Sequence, residues 1–284
     1  MGKRRLSEIF MHQLTHGWLA PITQRVVADP DLDLFIRRDY VNIYFKGNSL
    51  LRLAEAGEVY RVTIHNKFVG ETPIPDLVNP AAVRFFLQQL PHLKERIIEH
   101  GRSSIETEYE QALIRANNLE PHNNSDYFIV DRQYRIGRQQ IDLLGIYWEQ
   151  TRRRRQRGQT VQLCLMELKY ALNPEIKHVA EQIAGYYEAL EPIVAEVADE
   201  CEALLRQRLA LGLYDQPAGR LEAMGTLRIS RQIEDCQIIV VLIDYNPRSS
   251  HYDPSLLERL PFRNQIRVLQ TGLAMWETNL KAVG

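Results

Sequence analysis

Apolar residues recur along this chain at two spacings, and the switches between them mark its elements. Leu6, Ile9, Phe10 and Leu14 fall at helical spacing, which predicts an amphipathic helix over residues 5–17. The pattern then becomes short runs of branched and aromatic side chains. Residues 41–45, 50–53 and 59–64 read as strands separated by the turns Lys46-Gly47-Asn48-Ser49 and Ala56-Gly57-Glu58, which together predict a small antiparallel sheet. Helical spacing returns after Pro73, Pro75 and Pro80: residues 81–100 form a helix interrupted by Pro91 and closed by Gly101. The expected domain boundary lies there, with an N-terminal α+β domain over 1–100 and a second domain over 101–284.

The second domain opens with Ser103-Ser104 capping a helix over 105–117, whose apolar face is Ile105, Tyr109, Ala112, Leu113 and Ala116. Residues 127–130 with Tyr134 and Ile136 predict a first strand, kinked or turned at Asp131-Arg132-Gln133. Apolar runs at 141–148 and 161–169 predict two more strands, joined across TRRRRQRG. A helix beginning near Pro174 buries Ile176, Val179, Ile183, Tyr186 or Tyr187 and Leu190. Residues 191–213 read as a long charged helix. The run CQIIVVLID, residues 236–244, is apolar nearly throughout, as expected of a strand covered on both faces. A helix near 254–260, a strand over 265–269 and a terminal helix complete the expected elements.

Composition narrows the class without naming an activity. A chain of 284 residues with 45% hydrophobic and 25% charged side chains has ample material for a large globular core. The formal net charge is −1, so any nucleic-acid partner is held by a local patch rather than by the field of the whole molecule. The three cysteines, Cys164, Cys201 and Cys236, lie far apart with no CxxC pair, which argues for a reducing compartment and against a zinc site. The start MGKRRLSEIF is basic but no apolar stretch follows it, and no segment is long and apolar enough to span a bilayer. The expected setting is the cytoplasm, with no membrane partner. No Walker A, GxGxxG, GxSxG, HExxH or EF-hand pattern occurs, and no repeat period stands out.

Two acids stand out by where they lie. Asp142 and Glu167 sit inside apolar strands, where an unpaired charge costs several kcal/mol. A hairpin folded near Arg155 is expected to place Asp142 opposite Leu168, beside Glu167 and Lys169. Alternation along the strand puts Glu167 and Lys169 on one face, with Met166, Leu168 and Tyr170 on the other. Two carboxylates supply hard oxygen ligands for a divalent cation, and a lysine beside them orients water or offsets charge developing on a phosphate. These are the parts of a metal-assisted phosphodiesterase.

Asp142, then Glu167-Leu168-Lys169 in an apolar strand, then Gln182 in the next helix, resembles the PD-(D/E)XK nuclease superfamily of restriction-endonuclease-like folds. The proline of the family's name is absent, Ile141 standing before Asp142, and the resemblance covers roughly residues 103–244. It implies an α/β protein whose restriction-endonuclease-like core is a mixed central sheet flanked by helices. Residues 236–244 then form a strand parallel to the third, and 191–235 are an insertion. It also implies that Asp142, Glu167 and the Leu168 carbonyl hold Mg2+ (or Mn2+), that Lys169 positions the attacking water, and that Gln182 assists. Glu106, from the helix preceding the first strand, fits the family's additional glutamate. The plainer reading of Glu106 is an acid complementing its helix dipole.

The five arginines Arg152, Arg153, Arg154, Arg155 and Arg157 form either a phosphate-contacting finger or a solvated hairpin tip. Lys46, Arg52, Arg61 and Lys67 on the N-terminal sheet either grip DNA or belong to a surface that braces the next domain or forms an oligomer, a homodimer among the expectations. Asp126 and Asp131 read as turn caps, Asp244 as a turn residue, His178 as a surface side chain and Tyr186 as core. The expected function is metal-dependent endonucleolytic hydrolysis of DNA in restriction, phage defence or DNA repair, leaving a 5'-phosphate and a 3'-hydroxyl. The alternative is a non-catalytic or partner-activated nucleic-acid-binding protein on the same fold, or a toxin-like RNase.

Overall fold

The strands group into two separate sheets, each in its own part of the chain. The computed structural model describes residues 4–70, 73–101, 105–149 and 158–279. Contacts divide the chain into two compact units, one comprising Met1–Ser125 and Glu200–Thr226, the other Asp126–Asp199 and Leu227–Gly284. The helix expected at 105–117 thus goes with the first unit, although the sequence pattern groups it with the second.

In the first unit, α1 (Glu8–Thr15) starts at Ser7, whose hydroxyl accepts the Phe10 N–H at 3.0 Å. Two elements here are unmarked by the sequence pattern, α2 (Ala20–Ala28) and β1 (Leu32–Ile36). Leu19 at the start of α2 has no side-chain acceptor, and Pro21 in its first turn is the start signal it has. β1 pairs with β2 (Tyr40–Phe45), which continues through β3 (Asn48–Ala56) to β4 (Val59–Thr63) as an antiparallel meander. Val41, Ile43 and Phe45 point into the core, as alternation requires. On the opposite face the Arg52 guanidinium lies 3.9 Å from the Tyr40 ring centre.

The helix expected to break at Pro91 does not. α3 (Pro80–His100) runs through it, started by Asn79 accepting from Ala81 and Ala82 N–H groups. Its buried residues Val83, Phe86, Leu90, Leu93 and Ile97 keep one stripe on both sides of the proline. Packing of that stripe outweighs one lost hydrogen bond. α4 (Ile105–Asn118) follows, its proposed caps Ser103 and Ser104 lying outside the described residues.

The second unit is a mixed sheet flanked by helices. β5 (Tyr127–Ile136), β6 (Gln139–Tyr147) and β7 (Thr160–Tyr170) pair antiparallel, and α5 (Val179–Leu190) follows them. The chain then enters α6 (Val194–Ala210), returns at Glu200 to the first unit, and forms α7 (Ala218–Met224) there. The expected insertion at 191–235 contains this excursion. β8 (Arg228–Ile229) pairs with one end of β7, and β9 (Gln237–Ile243) lies parallel to β7 as expected. α8 (Pro254–Glu258) precedes β10 (Ile266–Thr271), and the main strand order is β10-β9-β7-β6-β5.

Every residue of β9 is buried, which explains why Ile238 to Ile243 are all apolar. Ile176, Val179, Ala180 and Ile183 pack over Ile238, Val240 and Leu242, with Leu257 of α8 in the same cluster. The terminal helix is not found: past β10 the described chain has only a 3-10 turn at Glu277–Asn279. No helix among the described residues is long and apolar enough to cross a membrane. Leu242 is 0% exposed within this cluster, so Leu242→Ala should lower stability by about 3 kcal/mol, read from the urea midpoint. An unchanged midpoint would remove Leu242 from the core.

Candidate active site

β6 and β7 pair from Tyr147 opposite Gln162 to Leu143 opposite Met166. Continued by one step, this register sets Asp142 across from Glu167, not across from Leu168 as the hairpin count suggested. The correction matters because directly opposed residues share a face, and a slip of one residue turns a side chain to the other side. In the observed register the two carboxylates belong to the same face. Asp142 Oδ2 accepts the Leu168 N–H at 2.9 Å, a bond that a backbone carbonyl would otherwise receive in a continued ladder.

Lys169 is two residues beyond Glu167 and therefore on its side of β7. Its ammonium donates to Glu167 Oε1, and the pair is deeply buried, Glu167 being 2% and Lys169 7% exposed. Burial, then the neighbouring Asp142 carboxylate, push the Glu167 carboxyl up to about 7, against the opposing pull of Lys169 and of the Tyr186 hydrogen bond.

α5 supplies the other wall. A Cβ at Gly185 would lie 2.6 Å from Gln139 Nε2, so this helix approaches the start of β6 where it has no side chain. The approach delivers Tyr186, 1% exposed, whose hydroxyl meets Glu167 Oε2 and also lies 2.8 Å from the Gln140 carbonyl. Gln182 Nε2 donates to the Tyr186 oxygen at 2.7 Å. Burial and the adjacent Glu167 raise the Tyr186 hydroxyl well above its usual range, so it stays a neutral donor. Having one proton, it serves either Glu167 or the Gln140 carbonyl at a given moment. Tyr186 is thus both a core residue, as its spacing predicts, and part of the site. Gln182 reaches the acids through it.

Asp142 Oδ1 faces Gln133 Nε2 of β5 at 3.3 Å, and Gln133 Oε1 in turn accepts from Gln140 Nε2. Gln133 lies in the expected kink, but the sequence pattern marks neither glutamine as a site residue; their common signal is register, since Gln133 and Gln140 flank the hairpin leading to Asp142.

Glu106 lies in α4, which belongs to the first unit, whereas Asp142, Glu167 and Lys169 belong to the second. Asp131 is buried and accepts the Arg132 N–H at 2.8 Å, while the Asp126 carbonyl accepts from Trp148. Asp244 Oδ1 receives the N–H groups of Leu273 and Ala274, the turn role expected of it. His178 is exposed beside Glu181. Arg152, Arg153, Arg154, Arg155 and Arg157 lie outside the described residues.

Among the described residues no group of three or more His, Cys, Asp or Glu side chains converges. What the chain offers a cation is Asp142, Glu167 and the Leu168 carbonyl, which points to the same edge of β7 as the N–H held by Asp142. That set fits Mg2+, which takes one or two carboxylates and keeps several waters. A carboxylate oxygen has two acceptor positions, and a buried Glu167 charge gains from a cation. No family model, curated protein or solved structure matches the chain.

Glu167 titrates near 4.5 without burial, so between about 4.5 and about 7 the folded protein keeps a proton that the unfolded chain has lost. Metal-free stability therefore falls as pH rises through that window and levels off above it. The contribution is about 3 kcal/mol. Urea unfolding in EDTA at pH 5 and pH 8 should show this loss in the wild type and a flattened dependence in Glu167→Gln. Equal slopes in both proteins would place the titration elsewhere.

Proposed function

We propose that this chain is a Mg2+-dependent (or Mn2+-dependent) nuclease that hydrolyses DNA phosphodiester bonds on a restriction-endonuclease-like core of the PD-(D/E)XK type. The observation that carries the reading is the convergence of Asp142, Glu167 and Lys169 on one face at the end of the β6–β7 ladder. The parallel pairing of β9 with β7 and the helix α5 over that sheet support the same core.

In this reading Asp142, Glu167 and the Leu168 carbonyl hold the cation. When bound, the metal supplies Lewis acidity and charge stabilisation at the phosphate. Lys169 holds the attacking water by hydrogen bonding and offsets negative charge on the phosphoryl oxygens. Tyr186 fixes one oxygen of Glu167, and Gln182 fixes Tyr186. The water oxygen bonds to phosphorus in line as the bond from phosphorus to the 3'-oxygen breaks; the water gives up a proton to solvent and the 3'-oxygen takes one from solvent, leaving a 5'-phosphate and a 3'-hydroxyl. Restriction, phage defence and DNA repair are the settings that suit such an activity. The buried, unbridged cysteines suit a reducing compartment.

A second reading, a binding protein or a nuclease activated by a partner, is favoured by one detail. Both Glu167 oxygens are engaged by the chain's own Lys169 and Tyr186. Cleavage of supercoiled plasmid and linear single-stranded DNA decides between them. The nuclease should need Mg2+ or Mn2+, stop with EDTA, and lose about 10²–10⁴-fold in rate in Lys169→Ala with folding retained. DNA binding indifferent to metal, with no cleavage by a folded wild type, would favour the second reading.

A further inference from the structure

Gln133 is in an unusual place for its backbone. Its φ is +50°, in the left-handed region, yet it lies inside β5. Lys46, Asn124, Ala171 and Asp244, the other non-glycine residues with positive φ among those described, sit in turns or just past strand ends. A residue with a Cβ held this way costs on the order of 1–3 kcal/mol, and glycine would relieve it.

The register of β5 against β6 accounts for the location. Arg132 pairs with Leu143 and Tyr134 with Ile141, so Gln133 is directly across from Asp142. Its amide nitrogen faces Asp142 Oδ1 at 3.3 Å. The second oxygen of Asp142 is held from the opposite strand by the Leu168 N–H at 2.9 Å. Gln140 donates to the Gln133 carbonyl oxygen, which settles which end of the Gln133 amide turns toward Asp142. The Gln140 backbone carbonyl lies within reach of Tyr186, so one short segment touches the supports of both acids.

From these contacts we infer that Gln133 is a positioning residue for Asp142. Its left-handed backbone and its amide, oriented by Gln140, hold the Asp142 carboxylate as a fixed acceptor for a divalent cation. This rests on the metal-dependent reading above and adds to it the group that orients the first ligand. A donor on the outer oxygen of a ligating carboxylate restricts its rotation, and loss of such a support typically weakens metal binding 10–100-fold.

Mn2+ titration followed by electron paramagnetic resonance of the free ion tests this without relying on cleavage. Gln133→Met keeps the volume and removes the donor. Gln133→Gly removes the amide and relieves the backbone. Both should bind Mn2+ about 10–100-fold more weakly than the wild type. Gln133→Gly should be at least as resistant to urea as the wild type, a combination that a merely structural role would not produce. Gln140→Met should shift binding in the same direction by less. In DNA cleavage the half-saturating Mg2+ concentration should rise in Gln133→Gly while KM for DNA stays. Wild-type Mn2+ affinity in a folded Gln133→Gly would overturn the role of Gln133 and leave the nuclease reading standing. Absence of Mn2+ binding by the wild type would overturn both.

Discussion

The Leu168 N–H is given to the Asp142 carboxylate, and the β6–β7 ladder ends beside that bond. An ordinary ladder here would continue backbone to backbone and leave both acids as two more side chains on a sheet. A side chain taking over a backbone role satisfies a buried donor and, in the same contact, fixes the direction of a charged group. Glu167 and Lys169 follow from the alternation of β7, and α5 then has a fixed pair of groups to meet. The geometry of the site is therefore the geometry of one strand pair coming apart.

Charge in such a place is costly, and the structure handles it by mutual compensation. Glu167 is nearly inaccessible, and the same burial that raises its pKa makes the Lys169 ammonium its nearest counter-charge. Asp142 pulls the other way by adding a second negative charge. Above about pH 7, with Glu167 ionised, two carboxylates face one ammonium; below it the Glu167 proton restores the balance. The neutral donors Tyr186 and Gln133 stabilise orientation without altering that balance.

Much of this was legible in the residue order, for identifiable reasons. β9 is plain because burial on both faces favours an unbroken apolar run from Ile238 to Ile243, and Glu167 and Lys169 share a face by simple alternation. The register of Asp142 is not, because it has to be counted across a long arginine-rich connection with no two-residue hairpin turn to fix the count. Pro91 misled because a local rule yielded to a stripe packed on both sides of it. α2 and β1 are short, and their signals, Pro21 at the start of α2 and the turn Asp29-Pro30-Asp31 before β1, stand beside weak hydrophobic patterns. Tyr186 occupies a position any core aromatic could hold, and only the structure shows its hydroxyl at the acids. The left-handed backbone of Gln133 falls within the kink expected at Asp131-Arg132-Gln133, but nothing in that pattern singles out its amide as a partner of Asp142.

The chain leaves and re-enters its two units, and this has a bearing on the order of synthesis. The first unit draws on Glu200–Thr226, so the ribosome must release those residues before that unit has all its parts. β7, which carries Glu167 and Lys169, waits longer still: its parallel neighbour β9 begins at Gln237. A nascent or truncated chain ending before that strand has both acids and the lysine but lacks the neighbour that completes the sheet around them. Synthesis through β9 is thus a condition for the sheet that holds this cluster to be complete.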